Sequence, residues 1–175
     1  MKALIVAGMP GAGKEELLNV ARGLGIGFAR MGDVVRSFHE SSGAASEGIP
    51  IGEYASRERE AHGPDVWAER TMESMSGDLF LVDGCRSMDE VRSFRRFSDV
   101  EIIAIHAPRS ERFRRLVSRA RDDAPKDEEE FDARDMREIG WGIAEVIALS
   151  EHMIVNDADL ESFRAKSRGL LERLG

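Results

Sequence analysis

Three glycines and a lysine are closely spaced in the segment GMPGAGKEE, Gly8 to Glu16. The segment has the form G-x-x-x-x-G-K and lies between a strand-like apolar run and a helical pattern. In such a loop the backbone N–H groups and the helix N-terminus bind phosphate oxygens, and the lysine places a positive charge between the outer phosphates. We therefore predict a nucleotide-binding loop made of Gly8, Met9, Pro10, Gly11, Ala12, Gly13, Lys14, Glu15 and Glu16.

Glu15 stands where such a loop ordinarily carries a Ser or Thr whose hydroxyl holds Mg²⁺. A carboxylate beside a triphosphate repels it unless a cation lies between them. Two interpretations stay open at this point. Glu15 is either a ligand of Mg²⁺ or an acidic residue in the first turn of a helix, where the helix dipole favours it. For Glu16 the second interpretation is favoured.

Further charged residues follow two other apolar runs. Asp83 ends LFLVDG, where a carboxylate at a strand tip can hold Mg²⁺ through its water shell, and Arg86 is predicted to face the same crevice. In MGDVVR, Asp33 and Arg36 stand three residues apart at a helix start, so both can lie on one face. Arg36 can bind an anionic acceptor, while Asp33 either caps the helix or acts as a base.

The segment RARDDAPKDEEEFDARD is rich in charge and holds several arginines. Arginines that close over a transferring phosphoryl group stabilise the charge that develops on it. Arg134 and Arg137 stand three apart on a predicted helix and can converge, and Asp135 is predicted to orient them by ion pairing. Arg121 is predicted to close over the transferring group with Arg134, with Asp123 as a further orienting carboxylate.

The elements that must position these residues alternate between short apolar runs and helical patterns. Several runs are rich in Ile and Val without polar alternation, which is typical of a parallel sheet covered on both faces. Five strands are predicted at 3–8, 26–31, 79–84, 100–106 and 151–156. Helices are predicted at 15–22, 33–40, 52–61, 65–75, 87–97, 110–119, 127–149 and 160–174. This alternation predicts a doubly wound α/β sheet.

Length and composition favour one domain over 1–175, with an acceptor-binding insertion at 33–78 and a lid at 119–138. The chain has 25 Lys and Arg against 33 Asp and Glu, which disfavours DNA binding. Arginines nevertheless cluster in 86–96 and 109–121, as suits a binder of small phosphates. No apolar run approaches a membrane span and no secretory leader is visible, so a cytoplasmic protein is expected.

Three motifs, GMPGAGK, MGDVVR and VDGCR, occur in the order of the phosphate loop, acceptor-helix start and Asp-Gly-x-Arg motif of nucleoside-monophosphate-kinase-like P-loop kinases. The chain resembles this branch, whose members include adenylate kinase and dephospho-CoA kinase. It is still more similar to archaeal adenylate-kinase-like P-loop proteins, and that resemblance covers essentially the whole chain. The segments that carry it are RARDDAP, EEF, RDMRE, GIAEVI and IVNDADLESF.

The resemblance implies a three-layer P-loop kinase fold, ATP and Mg²⁺ as cofactors, and a small phosphorylated acceptor. It places Asn156, Asp157 and Ala158 against the adenine of the donor. It also implies catalytic roles for Lys14, Arg86, Arg121, Arg134 and Asp33. Two alternatives remain: transfer to a sugar hydroxyl as in dephospho-CoA kinase, with Asp33 as the base, or an ATP-hydrolysing switch with a protein or RNA partner.

Overall fold

The computed structural model describes residues 1–118 and 124–175. Five strands form one parallel sheet in the order β2-β3-β1-β4-β5. The strands are β1 Lys2–Ala7, β2 Gly27–Arg30, β3 Leu79–Asp83, β4 Asp99–His106 and β5 His152–Val155. The predicted fold class is confirmed, and each strand ends within one residue of its predicted bounds.

Helices cover both faces of this sheet. They are α1 Lys14–Gly23, α2 Met31–Ser41, α3 Ile51–His62, α4 Val66–Met72, α5 Met88–Arg95, α6 Arg109–Ser118, α7 Glu128–Gly140, α8 Ile143–Ala148 and α9 Leu160–Leu174. Helices α2, α3 and α4 lie between β2 and β3, in the segment predicted as an acceptor-binding insertion. The acceptor-binding role of that segment stays a prediction.

The core has two halves, one on each face of the sheet, because successive strand side chains point to opposite faces. In β1, Leu4 and Val6 pack with α1 and α9, while Ile5 packs with residues of α4, α5 and α8. Trp67 of α4 and Phe94 of α5 are fully buried on the second face. Burying each such side chain stabilises the fold by about 1.5–3 kcal/mol. This burial holds the helices against the two faces of the sheet, which gives three layers.

The long helix predicted over 127–149 is wrong, because the chain forms two helices there. Helix α7 ends at Gly140 and α8 begins at Ile143. Between them Gly142 has φ of 106°, a left-handed conformation that residues with a Cβ rarely adopt. The break turns the chain and leaves Trp141 in the connection.

The expectation that Asp33 caps a helix is also wrong. Helix α2 begins at Met31, so Arg30 holds the N-cap position and Asp33 lies inside the first turn. The extended β2 residue leads directly into the helix without a side-chain cap. Side chains do cap α5, α7 and α9, through Ser87, Asp127 and Asp159.

Among residues 1–118 and 124–175, no helix is both long and apolar enough to cross a membrane. The predicted cytoplasmic location stays a prediction.

Candidate functional site

The loop Gly8–Gly13 joins β1 to α1 at the carboxyl edge of the sheet. Gly13 has φ of 116°, and a Cβ added there would clash with the side-chain nitrogen of Asn156, so a larger residue is excluded for two reasons. Lys14 extends back over the loop, and its Nζ donates to the carbonyl oxygen of Gly8 at 2.6 Å. The loop is therefore shaped by contacts within the protein.

Asn156 hydrogen-bonds to the backbone of the loop. Its Nδ2 donates to the carbonyl oxygen of Ala12 at 2.7 Å, and its backbone N–H donates to the carbonyl oxygen of His106 at 2.7 Å. The side chain is buried, while the following residues Asp157 and Ala158 are exposed. The structure thus brings Asn156 to the phosphate loop, where its amide fixes the loop backbone.

A cavity of about 380 Å³ opens between this support and α6. It is lined by Gly13, Glu16, Arg114, Arg115, Asn156, Ala158, Asp159 and Leu160. Arg115 donates to the carbonyl oxygen of Asn156 at 3.2 Å, and its buried Nη1 has no hydrogen-bond partner within the described residues. Sequence analysis did not single out Arg115, since only its place in an arginine cluster pointed to it.

Asp83 and Lys14 face each other beside the loop. Parallel pairing sets Asp83 next to Val6 of β1 and next to Arg30 of β2. Burial raises the pKa of the Asp83 carboxyl, and the positive charge of Lys14 opposes that shift. Burial likewise lowers the pKa of Lys14, and the charge of Asp83 opposes it. The two groups therefore stabilise each other's charged forms.

The environment of Asp83 fits a hydrated Mg²⁺. Its Oδ1 is buried and has no hydrogen-bond partner among the residues that the structure describes, so it can still accept a hydrogen bond from metal-bound water. In that same part of the chain, no three His, Cys, Asp or Glu side chains are grouped to hold a metal ion. Mg²⁺ accommodates such a site because it usually keeps several waters and binds only one or two carboxylates.

Glu15 is engaged by a residue that sequence analysis missed. Arg30 donates to Oε1 of Glu15 at 2.7 Å and approaches Asp33 at 3.8 Å, while Arg36 donates to Asp33 at 2.9 Å. These four residues form a row of alternating charges from the phosphate loop to α2. Arg30 ends β2 at the carboxyl edge of the sheet, and that position is the signal that could have found it. Glu16 is separately paired with Arg164 at 2.8 Å.

A cavity of about 120 Å³, here called the transfer cavity, lies between the loop and the end of β3. It is lined by Val6, Gly8, Pro10, Lys14, Gly84, Cys85, Arg86, Arg134, Glu138 and Ile143. The structure thus brings together Lys14, Arg86 and Arg134, which come from three distant segments. Arg86 is held by Glu138 of α7 through a hydrogen bond of 2.9 Å from its Nε.

Of the other predicted arginines that the structure describes, Arg36 and Arg137 do not line this cavity. Arg36 is more than half exposed beside Asp33. Arg121, together with Asp123, lies outside the described residues. Arg137 instead lines a larger cavity of about 600 Å³ next to the transfer cavity, together with Arg86 and Arg134.

Asp135, which was predicted to orient Arg134 and Arg137, forms a buried ion pair with Arg112 of α6. The two Arg112 nitrogens donate to the two carboxylate oxygens at 2.8 and 2.6 Å. Arg112 Nη1 also donates to the carbonyl oxygen of Pro10 at 3.2 Å. One guanidinium therefore ties α7, which carries Arg134, to the phosphate loop. Nothing in the local sequence distinguishes Arg112 from its neighbouring arginines.

Comparison with known proteins agrees with this geometry. A family model described as an AAA domain (AAA_17) matches residues 7–132. A UPF0200 protein of Thermoplasma acidophilum is 44% identical over 170 residues, covering 96% of this chain and 94% of the relative. A UPF0200 protein of Hyperthermus butylicus is 42% identical over 174 residues, covering 98% of this chain and 94% of the relative.

Two solved structures share the fold at low sequence identity. TT1252 from Thermus thermophilus superposes with a TM-score of 0.68 at 16% identity, covering 100% of this chain and 98% of that one. Shikimate kinase from Bacteroides thetaiotaomicron superposes with a TM-score of 0.65 at 19% identity, covering 97% and 98%. The chain therefore belongs to the UPF0200 family and carries a P-loop kinase-like domain.

Proposed function

We propose that this protein is an ATP- and Mg²⁺-dependent phosphotransferase that moves the γ-phosphoryl group to a small phosphorylated acceptor, a nucleotide or a nucleotide-like molecule. The observation that carries the proposal is the transfer cavity, where Lys14, Arg86 and Arg134 converge beside the phosphate loop. Three cations around one small cavity suit the charge that spreads over the transferring group.

ATP binds with its phosphates on Gly8–Glu16 and its adenine in the cavity beside Asn156 and Ala158. Asp157, between these two residues, is exposed. The planar guanidinium of Arg115 lines that cavity and has an unpartnered nitrogen, which suits stacking on a base or bonding to its edge. When phosphate arrives, the Lys14 ammonium exchanges its bond to Gly8 for the phosphate oxygens.

Mg²⁺ would be held beside Asp83, through water on the free Oδ1. When bound, it neutralises charge on the outer phosphates of ATP. Oε1 of Glu15 already accepts from Arg30, whereas Oδ1 of Asp83 has no partner among the described residues, so we assign the metal to Asp83 and an ion-pairing role to Glu15.

The acceptor phosphate binds at Arg86, with Arg36 of α2 as a second cation. A phosphate acceptor is already an anion and needs no strong base. Transfer to a sugar hydroxyl would instead require Asp33 as the base, yet its carboxylate is already occupied by Arg36 and lies near Arg30. The ion pairing of Asp33 favours the phosphate acceptor.

The test is product formation from ATP and Mg²⁺ with AMP, CMP, GMP, UMP or dephospho-CoA. We expect phosphorylated product from at least one monophosphate, lost in Lys14→Met and Arg86→Met. The exposed Arg92 on α5 provides the matched control, and Arg92→Met should retain activity. Hydrolysis of ATP without any phosphorylated product would contradict the proposal and favour the ATP-driven switch.

A further inference from the structure

Trp141 is half exposed in a place where an aromatic ring could meet a ligand. It lies in the connection between α7 and α8 with 50% of its surface accessible, whereas Trp67 is fully buried. The guanidinium carbon of Arg86 stands 5.0 Å from the centre of the Trp141 ring. Arg86 also lines the transfer cavity, so this one side chain connects the exposed ring to that cavity.

The residues on either side of Trp141 contact Arg86. The next residue, Gly142, packs so closely on the Arg86 carbonyl oxygen that an added Cβ would lie 3.2 Å from it. Glu138, one turn earlier on α7, binds the Arg86 side chain. Arg86 therefore contacts α7 and the α7–α8 connection through both its side chain and its backbone.

A cavity of about 400 Å³, here called the acceptor cavity, adjoins Trp141 on the side of α3 and α5. Its lining residues are Ser56, Arg59, Glu60, Pro64, Arg86, Ser87, Asp89, Glu90, Gly140 and Trp141. This volume lies within the range that small-molecule sites occupy. Arg86 lines both the acceptor cavity and the transfer cavity, so a ligand in the first can present a phosphate to the second.

Charges lining the acceptor cavity limit what can bind there. Glu60, Asp89 and Glu90 carry negative charge and would repel a second phosphate. The Glu90 side chain is 2% exposed and accepts a hydrogen bond from the Arg86 backbone N–H at 2.8 Å. Arg59 donates to its other oxygen at 3.4 Å, and because a carboxylate oxygen can accept more than one hydrogen bond, it can also accept from a ring N–H.

We propose that the acceptor cavity binds the planar heterocycle of the acceptor, a nucleobase, by stacking on Trp141 and by hydrogen bonds to the Glu90–Arg59 pair. The single phosphate then lies at Arg86. This inference rests on the proposed function for the transfer step, and it adds the residues that select the acceptor. An acceptor without an aromatic ring, such as a sugar phosphate, would leave the indole without a stacking partner.

Trp141 itself provides the first readout, and it needs no phosphoryl transfer. Trp141 fluorescence is titrated with AMP, CMP, GMP and UMP, and separately with ribose 5-phosphate and inorganic phosphate. A non-hydrolysable ATP analogue is present throughout to fill the donor site. We expect saturable quenching by at least one nucleoside monophosphate and none by the two probes that lack a nucleobase. Trp141→Phe retains only the buried Trp67 and serves as the blank.

Calorimetry on variants is the second readout. Trp141→Leu should weaken binding of the quenching nucleotide by roughly 5- to 150-fold, the range for loss of one base–aromatic stack. Trp141→Phe should retain most of the affinity. Phe97→Leu changes an exposed aromatic outside these cavities and should bind as the unaltered protein does.

Three outcomes would overturn the inference: no monophosphate binds, ribose 5-phosphate binds as tightly as the nucleotides, or Trp141→Leu binds as tightly as the unaltered protein. Failure of the proposed function is distinguishable from these. In that case ring-dependent binding at Trp141 is observed while no phosphorylated product forms from ATP.

Discussion

Breaking the buried pair between Arg112 and Asp135 tests how α7 is held against the phosphate loop. The two side chains are only 8% and 12% exposed, and two hydrogen bonds join them. The substitution Asp135→Asn removes the negative charge and keeps the shape. It leaves the Arg112 guanidinium buried with no compensating charge, although its bond to the Pro10 carbonyl oxygen remains.

The expected cost follows from the burial of both groups. Removing one partner of a buried ion pair lowers the free energy of unfolding by about 3–5 kcal/mol. For a chain of this size each kcal/mol corresponds to about 2–4 °C, so Tm should fall by roughly 6–20 °C. The pair of Arg92 with Asp89 on α5 is joined by one hydrogen bond of 2.8 Å and is more than half exposed. Asp89→Asn should therefore cost only about 0–1 kcal/mol.

Urea unfolding followed by circular dichroism measures both variants. Replacing the pair together, by Arg112→Met with Asp135→Leu, should recover much of the loss, because apolar residues of similar volume can substitute for a buried ion pair. The reasoning is refuted if Asp135→Asn is as mild as Asp89→Asn. It is equally refuted if the loss of unfolding free energy in the double variant equals the sum of the losses in Arg112→Met and Asp135→Leu measured singly. No pairwise coupling would then exist.

Further predictions concern the loop, the metal and the far end of the sheet. Gly13→Ala should abolish ATP binding, measured by calorimetry, and should lower the free energy of unfolding in urea by about 1–3 kcal/mol through backbone strain. Gly23→Ala is the control, because an added Cβ there meets open space, and it should change neither quantity. Glu15→Ser should leave the Mg²⁺ concentration required for ATP binding unchanged, and Asp83→Asn should raise it; the reverse result would make Glu15 the ligand. Hydrogen bonds from Lys2, the larger effect, and from His152 lower the pKa of Glu101 below its ordinary 4.5. The stabilisation that the ionised Glu101 provides is therefore present above pH 4.5 and is lost as the pH falls through the lowered pKa. The stability difference between the unaltered protein and Glu101→Gln should therefore shrink in urea titrations taken from neutral pH into that acidic range, and a difference that stays constant would contradict it.

Local sequence patterns were sufficient to predict the strands of the sheet and the position of the phosphate loop. Runs such as ALIVAG are apolar on both faces, so they predict a covered parallel strand wherever they occur. The break at Gly142 was missed because the apolar spacing continues from α7 into α8 and suggests one helix. Only the pair of glycines around Trp141 indicated otherwise.

The supporting arginines could not be predicted from local sequence. Arg112 contacts Pro10, 102 positions away, and Arg115 contacts Asn156, 41 positions away. Their neighbours in the same helix are also arginines, so residue type alone does not separate a structural contact from a solvated surface. What distinguishes them is which face of α6 meets the loop, and that depends on the packing of distant segments.

The position of Arg86 also has a thermodynamic consequence. One guanidinium lines both the transfer cavity and the acceptor cavity, and it is tied to Glu138 of α7. A ligand that draws the Arg86 side chain toward one cavity changes the positive charge available to a ligand in the other cavity. Linkage requires the effect to be mutual, so donor and acceptor should change each other's affinity by the same factor. The two substrates would then communicate through a single side chain, without any movement of the sheet.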